Sequence, residues 1–195
     1  MSTETERAAS GGDAPRRCLP EGCRFERTTA RNIHLLVPLF RDVFGTERTE
    51  EHFLRKYTTP WTRDGLFYGF FVLDRNGRAV AHHTGIPCRF RFGDRLVLGA
   101  QSCDIVTAAE FQGKGVFTLL GQKVCELLKE SGFEFIFGFA NDVTVVAVPK
   151  KLGWKQLGVL AGYRIPVRTL PVARACRRLR FPWRAYLALV DRVFA

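Results

Sequence analysis

Ile105-Val106-Thr107-Ala108-Ala109-Glu110-Phe111-Gln112-Gly113-Lys114-Gly115-Val116-Phe117 is the stretch from which the architecture is read. An apolar strand-like start runs through a short loop to two glycines at the mouth of a helical pattern. Val116, Phe117, Leu119, Leu120, Val124, Leu127 and Leu128 recur at helical spacing, which predicts a helix over 113–130 stopped by Ser131-Gly132. Glycine at such an entrance lets the backbone approach a ligand closely. The unpaired N–H groups of the first helical turn, with the positive end of the helix dipole, form a cradle suited to pyrophosphate. No G-x-x-x-x-G-K-[ST] is present, and the third glycine of G-x-G-x-x-G is missing. Both the nucleotide-triphosphate loop and the dinucleotide fingerprint are therefore disfavoured.

Outward from this unit, the preceding segments read as antiparallel strands. Residues 67–73 and 78–83 flank Asn76-Gly77, a strong hairpin signal. The second strand continues through Cys88, Phe90 and Phe92, whose alternation with Arg89 and Arg91 gives one wet face, and Gly93-Asp94 turns it into a strand over 96–106. A weak alternation over 23–29 predicts a first strand. Asn32 is a candidate cap for a helix carrying Ile33, Leu36, Val37, Phe40 and Phe44, bent at Pro38 and ended by Gly45. Thr49 caps a second short helix with Phe53, Leu54 and Tyr57 on one face. Beyond the central helix, 133–139 is a continuous apolar run, the pattern of a strand buried on both faces. A helix over 143–152 and strands over 154–157 and 159–167 complete the domain. The class is α/β (α+β): a central mixed, mostly antiparallel sheet flanked by helices.

The 195 residues suffice for one well-cored domain, and 46% hydrophobic with 25% charged residues excludes disorder throughout. Residues 1–22 are polar and aperiodic, the signature of a disordered arm without a secretory h-region. No apolar run approaches the roughly 18–20 residues of a membrane span. Six cysteines lie at 18, 23, 88, 103, 125 and 176, without C-x-x-C and without histidines at zinc-ligand spacing. They read as thiols, no metal site is expected, and the chain reads as cytoplasmic.

Net charge is +11, but eight arginines against Asp191 place +7 of it in 164–195. The body is only mildly basic, which gives no reason to expect a nucleic-acid partner. Within 168–195, Trp183, Tyr186, Leu187, Val190, Val193 and Phe194 share one helical face beside Arg174, Arg177, Arg178, Arg180 and Arg184. Two readings stand: peripheral contact with an anionic membrane, or packing on the domain or a second subunit. The membrane reading predicts that full-length protein co-sediments with anionic vesicles, less so at high salt, and that a 1–167 truncation does not. The packing reading predicts equal sedimentation and a lower melting temperature for the truncation.

The segment Gln112-Gly113-Lys114-Gly115-Val116-Phe117 resembles the Q/R-x-x-G-x-G/A signature of the GNAT superfamily of acetyl-CoA-dependent N-acetyltransferases. A second resemblance is Phe137-Gly138-Phe139-Ala140-Asn141 followed by Lys151-Leu152-Gly153-Trp154, similar to the family's strand, Asn, helix and terminal K-L-G-aromatic segment. The element order over 23–167 is also the family's. The resemblance implies acetyl transfer to a primary amine of a small acceptor, with an amino sugar or sugar nucleotide as the leading guess. Some relatives sharing the F-G-F-x-N and K-L-G-W segments are longer and are associated with surface-polysaccharide synthesis. By comparison this chain reads as a shortened form. Two positions depart from the pattern. Phe117 stands where the signature has a small residue, and Pro149 stands where many members carry a Tyr that protonates the leaving thiolate. A thiol of pKa about 8.5 leaves tolerably without an acid, so activity is not excluded. Pro149 keeps open an alternative, a non-catalytic acyl-CoA-binding or interaction module.

The resemblance implies that backbone groups of Ile105, Val106 and Thr107 face the pantetheine arm, one amide polarising the thioester carbonyl. The amides of Gly113, Lys114, Gly115 and Val116 would hold the pyrophosphate, Gln112 would add a donor and Asn141 would bond the pantetheine. An amine acceptor is mostly protonated at pH 7 and needs a base. Asp104 and Glu110 are the carboxylate candidates, His82 and His83 the imidazole ones, with His82 and His83 on opposite faces of one strand. Asp104 stands inside an apolar strand, where a carboxylate is either a site or a well-bonded structural group. Lys114, Lys150 and Lys151 are either phosphate partners or solvated charge. Trp61 and Tyr57 line the acceptor side or simply pack.

Overall fold

The computed structural model describes residues 18–62, 64–139 and 144–158. The expected strand 159–167, the tail 168–195 and Asn141 lie outside the described residues. β1 (Arg24–Thr29) is followed by a 3₁₀ turn (Ile33–Leu35), α1 (Leu36–Phe44) and α2 (Glu50–Tyr57). β2 (Leu66–Leu73), β3 (Ala79–Phe92) and β4 (Arg95–Thr107) lead through a 3₁₀ turn (Ala109–Phe111) to α3 (Val116–Glu130), β5 (Phe135–Phe137) and α4 (Thr144–Leu152). The five strands lie in sequence order, antiparallel except for the parallel β4–β5 pair. That is the mixed, mostly antiparallel sheet expected.

The helices cover opposite faces of this sheet. Tyr57 of α2 stacks on the His82 ring, while Leu128 of α3 approaches Gly85, and odd and even positions of β3 face opposite ways. On the α2 face, Ile33, Leu36, Phe40 and Phe53 pack with Phe67, Phe71 and Val80. On the other face α3 buries Val116, Leu120, Val124 and Leu128, one residue per helical turn. Eight of these side chains are aromatic or β-branched and all are under a tenth exposed, which makes the sheet a rigid floor for the site.

Several local expectations change. Asn32 does not cap α1 with its side chain; its Oδ1 accepts from the Thr29 N–H at 2.8 Å and its Nδ2 donates to the Arg27 carbonyl at 2.9 Å. It closes the turn out of β1, and the 3₁₀ turn starts the helix. Pro38 then sits in the first turn of α1, where an amide has no intrahelical partner to lose, so no bend is required there. Thr49 does cap α2, accepting from the His52 N–H at 3.2 Å. In the β2–β3 hairpin, Asn76 and Gly77 end a longer turn closed by the Gly77 N–H on the Asp74 carbonyl. The apolar run 133–139 yields only three paired residues, half-buried, and Phe139 is 66% exposed, so it is not a strand buried on both faces. Residues 154–157 are not a strand: α4 ends at Leu152, and the Gly153 N–H closes back on the Pro149 carbonyl. At the N-terminal side, Leu19 already packs against the core, so the folded body begins before residue 23. Cys18, Cys23, Cys88, Cys103 and Cys125 are free thiols. Among the described residues, no helix is long and apolar enough to cross a membrane.

Candidate active site

β4 is paired to β5 only from Gly99 to Gln101. From Ser102 to Thr107 its β3 edge is paired, while its other edge meets no strand among the described residues. A free edge offers alternate N–H and C=O groups, which an extended amide-bearing ligand can pair with as a strand would. Ile105, Val106 and Thr107 lie in this stretch. The chain then enters the glycine turn, where Gly113 (φ 74°) and Gly115 (φ 80°) are both left-handed. A Cβ at Gly113 would meet nothing within 4 Å, so the turn is open to a ligand. Gly115 is the residue from which α3 starts, without any side-chain cap on its first amides. A free strand edge leading into uncapped amides fits an amide-bearing arm ending in pyrophosphate.

Gln112 is only partly available for that role, because its Nε2 donates to the Thr107 carbonyl at 3.1 Å and braces the loop. Lys114 and Lys151 lie against aromatic rings, 5.2 Å from Phe111 and 5.8 Å from Phe117. Phe117, the departure from the signature, is thus half-buried under a cation from α4.

The β3–β4 register has one irregularity. His82 faces Val106 while Thr84 faces Cys103, so β4 carries one residue too many there. The extra residue makes a β-bulge, and Asp104 within it has φ 50°. A non-glycine residue in this region costs about 1 kcal/mol and persists only where its surroundings enforce it. Here they do. Lys56 Nζ donates to Asp104 Oδ1 and Oδ2 at 2.8 and 2.7 Å, and Tyr57 Oη donates to Oδ2 at 2.6 Å. The carboxylate is 11% exposed and the lysine 34%. Burial and the Asp104 charge raise the Tyr57 hydroxyl well above the usual phenol range, so it stays a donor. Burial, with Asp104 beside it, likewise raises the Cys103 thiol, which excludes a ready thiolate nucleophile.

His82 and His83 are 0% and 1% exposed. His82 Nδ1 lies 3.2 Å from the Asp104 carbonyl and Nε2 lies 3.1 Å from Thr28 Oγ1. His83 Nε2 lies 2.8 Å from Ser102 Oγ on the α3 face. Burial lowers His82 to about 4, and burial followed by the neighbouring His82 lowers His83 to about 3. Both are neutral at pH 7, and neither opens to solvent as a freely reached base. Their unfolded counterparts titrate near 6.5, so below that pH the unfolded chain binds more protons than the folded one. The stability they confer is complete above about pH 6.5 and drains away as pH falls toward 4 and 3. By pH 5 the pair is expected to cost about 4 kcal/mol, read from urea unfolding at pH 7.5 and 5.

Glu110 is half-exposed and paired with Arg78 at the start of β3. That contact pins the hairpin end to the loop and lowers its carboxyl through the Arg78 hydrogen bond. Its charge is committed away from Asp104. The Trp61 ring lies 5.4 Å from the Arg89 guanidinium, and its carbonyl accepts from Tyr68 Oη. Lys56 was not foreseen: its partner is 48 positions away, and a lysine in the last turn of an exposed helix carries no sequence signal. Among the described residues, no group of three or more His, Cys, Asp or Glu stands close enough to hold a metal ion.

The mixed sheet, opened on one edge of β4 and leading into the glycine turn, is a scaffold that offers a site to an extended anionic ligand. Residues 24–157 match the acetyltransferase (GNAT) domain family, and the chain belongs to it. Its donor class is accordingly an acyl-CoA. A search of curated proteins found no match. Solved structures with the same fold include glucosamine-6-phosphate N-acetyltransferase from Arabidopsis thaliana, at 15% identity over 75% of this chain and 100% of that one, TM-score 0.58. An aminoglycoside acetyltransferase from an uncultured soil metagenomic sample, in complex with sisomicin, is 20% identical over 74% and 97%, TM-score 0.56. An aminoglycoside N-acetyltransferase in complex with CoA is 13% identical over 76% and 99%, TM-score 0.55.

Proposed function

We propose that the chain transfers an acetyl group from acetyl-CoA to a primary amine of a small polar acceptor, in the class of amino sugars and their derivatives. The observation that carries this reading is the unpaired edge of β4, running from the Asp104 bulge into the glycine turn. When bound, acetyl-CoA supplies an activated thioester carbonyl. Ile105 and Thr107, whose backbone groups face the open edge, would pair with its pantetheine amides, while the Val106 backbone faces His82 of β3; an amide of the bulge would polarise the carbonyl. The amides of Gly113, Lys114, Gly115 and Val116 hold the pyrophosphate, with the remaining Gln112 donor beside them. The family resemblance assigns a pantetheine contact to Asn141, which lies outside the described residues.

Asp104 is the acceptor-side carboxylate. Oδ1 accepts one hydrogen bond and Oδ2 two, so Oδ1 retains room for a further donor. An acceptor amine that is mostly protonated at pH 7 is attracted there as its ammonium; Asp104 takes its proton, directly or through water. His82 and Glu110, committed as described, support the fold of this corner rather than meet the acceptor. Lys56 holds the Asp104 carboxylate in place through both of its oxygens.

Free-thiol release from acetyl-CoA across a panel of amines tests the reading, with amino sugars expected to give the fastest turnover. The neighbours named for glucosamine-6-phosphate and aminoglycosides motivate that choice of panel. Measurable acetyl-CoA binding without thiol release for any amine would instead support the non-catalytic binding module, which the proline at position 149 favours.

A further inference from the structure

We infer that His82 is a positioning residue for acyl transfer, holding the Asp104 backbone in its left-handed bulge through an Nδ1–H···O=C hydrogen bond. The inference rests on the function proposed above, and it concerns a side chain that touches neither donor nor acceptor.

Asp104 departs from strand geometry without being glycine, with φ 50° at the point where β4 gains a residue. Lys56 and Tyr57 fix its carboxylate, but none of their three bonds reaches the peptide that follows. The Asp104 carbonyl belongs to that peptide, whose N–H is the Ile105 amide on the open edge. A carbonyl only accepts, so the contact at 3.2 Å places the proton of His82 on Nδ1. Nε2 then carries the lone pair and accepts from the Thr28 hydroxyl at 3.1 Å. The Asp104 carbonyl thus sets the tautomer, and the Thr28 hydroxyl on β1 supplies the matching donor to Nε2.

The ring itself cannot swing. It is 0% exposed, stacked on Tyr57 at 6.0 Å and 16°, and packed on Phe71 at 4.7 Å. Packing alone is served as well by Leu or Phe, which carry no polar atoms to desolvate. Burial depresses the imidazole to about 4, so it acts as a neutral donor rather than as a titrating base. Both ring nitrogens are bonded, and Tyr57 and Phe71 both pack against the ring. The same ring also backs Tyr57, which holds the Asp104 carboxylate. One residue of β3 thus braces both ends of Asp104, the carbonyl directly and the carboxylate by stacking.

The variants His82→Leu, His82→Asn and His82→Gln separate positioning from packing. An Asn Nδ2 stands near the place of Nδ1 and restores the donor to Asp104; Gln reaches toward Thr28 instead; Leu does neither. Turnover is expected to fall roughly 10–100-fold in His82→Leu and His82→Gln and largely to recover in His82→Asn. Acetyl-CoA affinity by calorimetry is expected to fall far less than turnover in all three, because the amides of the Gly113–Val116 turn are left in place. Crystal structures are expected to show Asp104 leaving the left-handed region in His82→Leu and keeping it in His82→Asn. Unchanged turnover in a folded His82→Leu, equal losses in Leu and Asn variants, or a left-handed Asp104 in His82→Leu would each overturn the inference. If the unaltered protein binds acetyl-CoA but turns over no amine, the functional reading fails, and the Asp104 conformation in the variants decides this inference alone.

Discussion

Gly115→Glu is expected to abolish useful acetyl-CoA binding, weakening it at least ~100-fold while the protein stays folded. Two charge-assisted hydrogen bonds from turn amides to a phosphate are worth about 1.5–3 kcal/mol each, and a side chain that fills the cradle loses both. The carboxylate adds repulsion toward an anion at a helix start that otherwise attracts one. Gly115 also has φ 80°, so any side chain there costs about 1–2 kcal/mol of backbone strain. Gly115→Ala carries that same strain without bulk or charge, and is the control. Calorimetric titration of both variants separates the contributions: a small loss for Ala, a near-complete one for Glu. Unchanged affinity in a folded Gly115→Glu would remove the pyrophosphate from this turn.

Asp104→Ala is expected to damage both stability and turnover. It strands a buried tyrosine hydroxyl and a lysine ammonium two-thirds covered. Breaking a buried pair costs about 3–5 kcal/mol, and partial exposure of Lys56 reduces this to about 2–4 kcal/mol. Alanine also lacks the side-chain hydrogen bonds that hold a residue at φ 50°. With acceptor binding, proton removal and bulge geometry lost together, turnover is expected to drop about 100–1,000-fold. Asp104→Asn tolerates the left-handed conformation and still accepts from Tyr57, so it is expected to regain much of the stability and little of the turnover. Chemical denaturation and thiol release, measured on the same preparations, check the split. Full activity in Asp104→Asn would reassign the carboxylate to a structural role.

Much of the architecture was legible because it depends on local pattern. Apolar spacing of 3.6 marks α3, period-two alternation and turn residues mark β2 to β4, and Thr49 followed by acids marks α2. The glycine turn was legible for the same reason: left-handed φ and close approach are properties of single residues. Asp104 stood out as a carboxylate in an apolar strand. What local pattern misjudged were features whose outcome is set by a neighbour. Pro38 reads as a bend until the 3₁₀ turn moves the helix start to meet it. The run 133–139 reads as a long buried strand, yet only three of its residues find a partner on β4.

The sequence by itself determined the order of elements from β1 to α4, the open glycine turn and the presence of an isolated carboxylate before it, since each rests on the conformational preference of residues adjacent in the chain. Only the tertiary structure decided what that carboxylate does. The bulge comes from a one-residue mismatch between β3 and β4, and its anchors arrive from Thr28, Lys56, Tyr57 and His82, between 22 and 76 positions away in the chain. Such partners are brought together by burial of two unrelated apolar faces, and no spacing rule along the chain records them. The same burial turned two histidines that look like bases into neutral donors and acceptors, because the cost of taking a charge out of water there outweighs the attraction of the nearby Asp104.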